Sequence, residues 1–284
     1  MSLIKLIVMT SLALVAFAAN SVLTRMALAQ GLIDPGNFTL IRLISGAMTL
    51  AIICFFVNRN SVQGVFTSGT WLGAFSLWMY AVCFSYGYLH LDTATGALIL
   101  FTTVQLTMLI ISYVRGQRFS IMEWVGLIIA FMGFVVLILP NLSSGTTSLG
   151  ILLMVASGIA WGSYTLLGKG AVSPTLLTTG NFIRASIMSL PIIFFSASIQ
   201  YVEFSGVSLA IASGALASGI GYALWYTVLP KLTTSQAAVS QLLVPALAAF
   251  GGVLFTGDRL TTLLIVSLAI IMSGIFIVIR AKAH

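Results

Sequence analysis

The sequence predicts an all-α polytopic membrane protein with ten transmembrane helices, arranged as two inverted five-helix repeats. Composition is the first observation behind this. Hydrophobic residues make up 60% of the 284 positions and charged residues 6%, where an ordinary soluble domain is about a quarter charged. The second is spacing, because polar and helix-breaking clusters recur at intervals that suit spans of about 20 apolar residues. The third is duplication. Leu91, Thr93, Ala97, Leu106, Gly116 and Arg118 meet Leu232, Thr234, Ala238, Leu247, Gly257 and Arg259 at a constant offset of 141 positions, which also carries Gly133 onto Gly274. Toward the start of each half, Phe17, Asn20 and Arg25 have counterparts in Trp161, Tyr164 and Lys169, and Ile41-Arg42 has one in Ile183-Arg184. Their offsets of 144 and 142 are the drift that loop-length changes produce.

Taken in order, the expected spans are 4–28, 37–57, 70–89, 93–113, 122–140, 149–168, 177–198, 207–228, 234–255 and 262–281. Asp34-Pro35-Gly36, Asn58-Arg59-Asn60, His90-Leu91-Asp92, Arg115–Arg118 and Pro140–Gly145 interrupt the first half, which runs over 1–144. Ser173-Pro174, Pro230-Lys231 and Gly257-Asp258-Arg259 do the same in the second, 145–284. An odd number of spans per repeat makes the second half enter the membrane upside down relative to the first. With both termini cytoplasmic, inside segments carry Lys5, Arg59, Arg115, Arg118, Lys169, Lys231, Arg280 and Lys282, against Arg25 and Arg259 outside. That bias orients the chain. Trp71, Trp124, Tyr201 and Tyr226 near span ends are expected as interfacial anchors.

The net charge of +7 and pI near 9.7 suit anionic headgroups rather than nucleic acid in so apolar a chain. Cys54 and Cys83 fall in apolar runs and read as packing residues. His90 and His284, the only histidines, form no metal-binding or nucleophile-serving cluster, so neither an enzyme nor a metal or other cofactor is expected.

Polar and amphipathic aromatic residues at mid-span must face protein or a wet cavity, because lipid offers them no partner. Ser157, Trp161 and Tyr164 share one helical face in span six, and Ser218, Tyr222 and Trp225 share one in span eight. With Asn20, Trp78, Tyr80, Ser240 and Gln241 they are candidates to line one hydrogen-bonding, aromatic-walled chamber between the repeats, with Asn20, Trp78, Tyr80, Trp161, Tyr164, Tyr222, Ser240 and Gln241 as the substrate-binding set. The alternative for each is helix packing, with Ser and Thr bonded to a carbonyl one turn back. Gly158-x-x-x-Gly162 reads as a close helix contact. Arg42 and Arg184 are candidate charged gates, suited to a substrate carboxylate or a gate carbonyl, unless they snorkel to headgroups. Pro245 is a candidate hinge, with a static kink as the alternative.

Two five-span repeats, Trp161-Gly162-Ser163 with Lys169, and the small-residue span running from Pro245 into Gly257-Asp258-Arg259 resemble EamA-type members of the drug/metabolite transporter superfamily. The resemblance covers the whole chain. It implies a ten-helix basket in a bacterial inner membrane, a cavity lined by spans one, three, four, six, eight and nine, and alternating access. It further implies an exporter of amino acids, including aromatic ones, and related metabolites, with a small-molecule substrate and the bilayer as partners and a monomer sufficient. Phe17-Ala18-Ala19 and Val104 depart from the pattern set by Trp161-Gly162-Ser163 and Pro245 in the other half. Because Asp34, Asp92, Glu123, Glu203 and Asp258 map to ends or loops, facilitated diffusion or exchange is expected over proton coupling. A proton-coupled exporter of drugs or other metabolites, a channel and a non-transporting scaffold are the alternatives.

Overall fold

Helix formation follows directly from the apolar runs, and the polar breaks between them become caps and turns. A computed structural model describes residues 2–57, 64, 67–116, 118–138, 145–168, 171–195, 202–232, 240–241 and 243–282. Its helices are α1 (Leu3–Ala29), α2 (Pro35–Val57), α3 (Trp71–Gly87), α4 (Thr93–Val114), α5 (Ile121–Ile138), α6 (Gly145–Leu167), α7 (Pro174–Phe195), α8 (Phe204–Lys231), α9 (Leu243–Thr256) and α10 (Thr262–Lys282). Among the described residues, the only bridge between extended segments is the isolated pair Ile33 and Val202. α1, α2, α4, α6 and α8 are long and apolar enough to cross a membrane, while α5, α9 and α10 are shorter apolar helices. The start expected for span nine, with Thr234, Gln236 and Ala238, lies outside the described residues, as do Arg59, Lys169, Tyr201 and His284.

Four of the five acids sit at helix starts, and the fifth, Asp258, lies in the turn after α9. Asp34 Oδ1 accepts from Asn37 N at 2.9 Å and Asp92 Oδ1 from Thr95 N at 2.7 Å, so both cap the helix that follows. Ser120 and Glu123 form a reciprocal capping box, with Ser120 N donating to Glu123 Oε2 at 2.7 Å and Glu123 N to Ser120 Oγ at 3.2 Å. Glu203 occupies the N-cap position of α8, and its main-chain N donates to Leu32 O at 2.9 Å. Asp258 Oδ2 reaches across the fold to accept from Thr93 N, the first residue of α4, at 2.7 Å. The carboxylates of Asp34, Asp92, Glu123 and Asp258 answer orphan N–H groups and the positive end of the helix dipole.

The chain turns sharply after α4 and α9 at Gly116 and Gly257, whose φ values of 92° and 71° lie in the left-handed region. These are the two glycines that the 141-position offset superimposes.

The bundle is turned inside out relative to a soluble protein. Phe56, Val114, Ile121, Leu152 and Phe204 are exposed, while Asn20, Thr24, Thr39, Arg42, Ser85, Ser157 and Asn181 are buried. Many hydroxyls bond one turn back, such as Thr24 Oγ1 to Asn20 O at 2.7 Å and Thr165 Oγ1 to Trp161 O at 2.9 Å. Cys54 and Cys83 are buried free thiols. Trp71 and Trp124 are exposed near helix ends, in keeping with anchors. Tyr226 instead turns toward the bundle, its ring 6.1 Å from that of Tyr222.

Small residues set the close crossings. α5 and α10 run antiparallel: a Cβ on Gly126 would lie 2.6 Å from Gly274 O, and one on Gly133 2.9 Å from Ile271 Cγ1. α4 and α6 run parallel, because Gly158 faces Thr103 while Gly162, one turn on, faces Thr107. The reading of Gly158 and Gly162 as a close helix contact agrees with this geometry. Gly158→Val would drive a side chain into Thr103 Cβ, 2.6 Å from the position of the first added carbon. It should destabilise the protein by about 1–3 kcal/mol, read as a lower thermal midpoint in detergent; an unchanged midpoint would contradict the crossing.

Candidate substrate-binding cavity

Where α1, α3, α4, α6 and α8 meet, side chains from all five line a narrow cavity whose free volume is about 10 Å³, room for about one water. Phe17 lies at its centre. Its ring makes edge contacts with Trp161 at 6.0 Å, Tyr222 at 5.7 Å and Trp225 at 5.9 Å between centroids. Trp161 stacks on Tyr80 at 5.3 Å and meets the edge of Phe101 at 5.2 Å. Such ring pairs add about 0.5–1.5 kcal/mol each beyond the area they bury. Phe17, Tyr80, Trp161 and Tyr222 are all buried, so rings close the cavity on itself in this conformation.

Polar groups form one network behind the rings. Tyr80 Oη accepts from Asn20 Nδ2 at 3.2 Å and from Arg42 Nη2 at 2.9 Å. Asn20 Oδ1 accepts from Ser213 Oγ at 2.5 Å, which ties α1 to α8. α8 presents these groups through a π-helical stretch, Ser213–Ile220. Its i→i+5 bonding brings Ser213, Ala217 and Ser218 toward one face, where an α-helix would splay the two serines apart. Gly214 permits the approach, since a Cβ there would collide with Arg42 O and Ser45 Oγ.

Of the predicted set, the structure brings Asn20, Tyr80, Trp161 and Tyr222 together around this cavity. Tyr164 is buried, but its hydroxyl donates to Thr178 Oγ1 at 3.3 Å, outside the lining. Trp78 packs on Phe75 at 5.9 Å with its Nε1 buried and unpartnered, also outside the lining. Gln241 and Pro245 line a second, equally narrow cavity with Thr102, Gln105 and Ile271, from which Phe101 separates the first. Ser240 is partly buried and lines neither. Ser157, read as sharing the chamber face, donates to Tyr80 O at 3.0 Å and acts as a helix-to-helix strut.

Neither arginine follows the headgroup alternative. Arg42 is 2% exposed, and its guanidinium lies 4.9 Å from the Phe84 ring centroid and 5.1 Å from that of Tyr80. Its Nε and Nη1 have no hydrogen-bond partner. Arg184 donates to the main-chain carbonyls of Ser68 and Gly180 and lies 5.7 Å from the Trp71 ring centroid. It fastens the start of α3 to α7, helped by Thr70 N donating to Asn181 Oδ1 at 2.8 Å. Phe17 and Phe84, which the sequence offsets set against Trp161 and Trp225 on the faces expected to converge, were left out of the substrate-binding set, and Phe101 and Ser213 were missed altogether. Phe101 is one more apolar residue in an apolar span.

The network predicts opposite behaviour for two tyrosines. Tyr80→Phe strands Asn20 and Arg42 donors and should destabilise by about 1–3 kcal/mol. Tyr222→Phe removes a buried hydroxyl that has no partner and should leave the thermal midpoint unchanged or raise it. Equal losses in the two variants would mean that Tyr222 is a structural donor.

Known proteins place the cavity in context. The EamA-like transporter family profile matches residues 4–139 and again 148–280. An uncharacterised protein of Pseudomonas aeruginosa is 41% identical over 277 residues, covering 97% of this chain and 95% of its own. A probable amino-acid metabolite efflux pump of Escherichia coli is 25% identical, covering 78% of this chain and 79% of its own. The threonine/homoserine exporter RhtA of Salmonella typhimurium is 30% identical over 128 residues, 44% of this chain and 43% of its own. A solved crystal structure superposes with a TM-score of 0.67 at 20% identity, covering 94% of this chain and 96% of that one, and shares the fold. With apolar helices able to cross a bilayer several times and the family profile matched in both halves, this chain is a multi-pass membrane protein that belongs to the EamA-like transporter family.

Proposed function

We propose that the chain is a secondary transporter of the bacterial inner membrane that exports amino acids, including aromatic ones, and related small metabolites. In this reading 1–144 and 145–284 are inverted five-helix repeats, both termini are cytoplasmic, and the cavity opens alternately to either side. The observation that carries it is the cavity itself. Five helices drawn from both halves contribute to one buried space whose walls are aromatic and whose polar edge has unused hydrogen-bonding capacity. An apolar side chain suits the rings, and the backbone end of an amino acid suits the polar edge. The names of the Escherichia coli and Salmonella typhimurium relatives support the same substrate class.

Transport by facilitated diffusion or exchange fits the distribution of acids. A proton-coupled carrier usually holds a titratable group within a span, and here four of the five acids are at helix starts and Asp258 is in the turn after α9. A transporter rather than an enzyme accounts for the membrane-embedded site.

Reconstituted protein in liposomes should show saturable counterflow of labelled amino acids when Phe, Trp, Met, Thr and Ala are compared. Trp161→Ala, which removes the ring stacked on Tyr80, should abolish it. Absence of counterflow for all five would sink the amino-acid assignment, and unsaturable leak would indicate a channel. An imposed pH gradient should not change the rate; stimulation by it would restore the proton-coupled alternative.

A further inference from the structure

Resting on the transporter reading, we infer that Arg42, Tyr80 and Tyr222 form an anion subsite at the polar edge of the central cavity, which binds a single carboxylate on the carried molecule. Among the described residues, Arg42 brings a positive charge against the cavity wall through the Tyr80 hydroxyl and the faces of Tyr80 and Phe84. It is 2% exposed, and two of its three nitrogens, Nε and Nη1, lack partners.

A guanidinium buried in this way is strongly disfavoured unless an opposite charge sits near it. The chain supplies none there. Asp34, Asp92 and Glu123 bond main-chain N–H groups at the starts of α2, α4 and α5, Asp258 bonds Thr93 N, and Glu203 begins α8. The missing counter-charge is therefore expected from what the cavity binds.

The neighbouring groups have the same sign of preference. Tyr80 Oη already accepts two hydrogen bonds, from Asn20 and Arg42, so its own proton is left for an acceptor. Arg42 polarises that hydroxyl and passes its field into the cavity. Tyr222 lines the same cavity with a buried hydroxyl that has no partner. Asn20 is held with its oxygen on Ser213 and its amide on Tyr80, so it has no competing acceptor to offer. One cation and two hydroxyl donors match one carboxylate; a phosphate dianion would call for more positive charge. The remaining lining, Phe17, Phe84, Phe101 and Trp161, matches an apolar or aromatic remainder.

The test uses the full-length protein in detergent with three probes that differ only at the polar end: phenylacetate, phenylacetamide and phenethylamine. Phenylacetate should raise the thermal midpoint and give saturable binding by calorimetry, and the neutral and cationic probes should do neither. Arg42→Met should melt at or above the wild-type midpoint without a probe, because it removes an uncompensated buried charge. It should bind phenylacetate at least about thirtyfold more weakly, with Arg42→Lys between the two. A lower midpoint for Arg42→Met that Arg42→Lys restores would make Arg42 a structural strut and overturn the subsite. So would binding of phenylacetamide as tight as that of phenylacetate, or no binding of phenylacetate at all. Tyr222→Phe gives a second reading should Arg42→Met fail to fold: the subsite requires weaker phenylacetate binding at an unchanged midpoint, and unchanged affinity overturns it. Phenylacetate binding without counterflow of any amino acid would keep the subsite and remove the amino-acid transporter. Counterflow at wild-type affinity in Arg42→Met would do the reverse.

Discussion

Lipid cannot hydrogen-bond, so every polar side chain that enters the bilayer must find its partner inside the protein. Most of this fold follows from that constraint. Hydroxyls fold back on carbonyls one turn away, glycines let helices approach until backbones touch, and the acids stay at helix ends. Among the described residues unsatisfied buried polar atoms remain on nine side chains, and three of these, Ser21, Arg42 and Tyr222, lie at or directly behind one cavity. In a soluble protein an unpaired polar atom is readily served by water. Here it marks where a ligand is worth more than packing.

Arg42 and Arg184, superimposed by the sequence offset, meet this constraint in opposite ways. Arg184 is satisfied by main-chain carbonyls, because Gly180 and the turn at Ser68 bring backbone within reach. Arg42 faces α3 through aromatic rings and finds only one hydroxyl. The same residue type is a fastener at position 184 and keeps two unpartnered nitrogens at position 42.

Much of the fold was legible because span boundaries are written in capping chemistry. Asp34-Pro35, Asp92, Ser120-x-x-Glu123 and Ser173-Pro174 each start a helix within about three residues of the expected place. Gly158 and Gly162 were legible from their spacing alone. The site was harder to read. Helical periodicity put Trp161 and Tyr164 on one face, yet three residues along a helix is enough to move a hydroxyl from the cavity to Thr178. Ser213 and Ser218 fall together only because α8 widens into a π-helix, which no periodicity based on 3.6 residues per turn anticipates. Gln241, before the start of α9, and Pro245, on α9, line a separate space behind Phe101. The pairing of Arg42 with Tyr80 joins residues 38 positions apart and had no sequence signature.

The link between Asp258 and Thr93 bears on how such a cavity opens. Asp258 follows the left-handed Gly257 at the end of α9 and accepts from the first N–H of α4, while Thr93 Oγ1 and Thr256 Oγ1 lie 3.2 Å apart. A charge-assisted bond at a helix N-terminus contributes about 1.5–3 kcal/mol, and separating α4 from α9 at this end must break it. That is small enough for a bound substrate to offset, provided it binds the opened form more tightly than the closed one. It is also large enough to bias the empty protein by one to two orders of magnitude toward the closed corner.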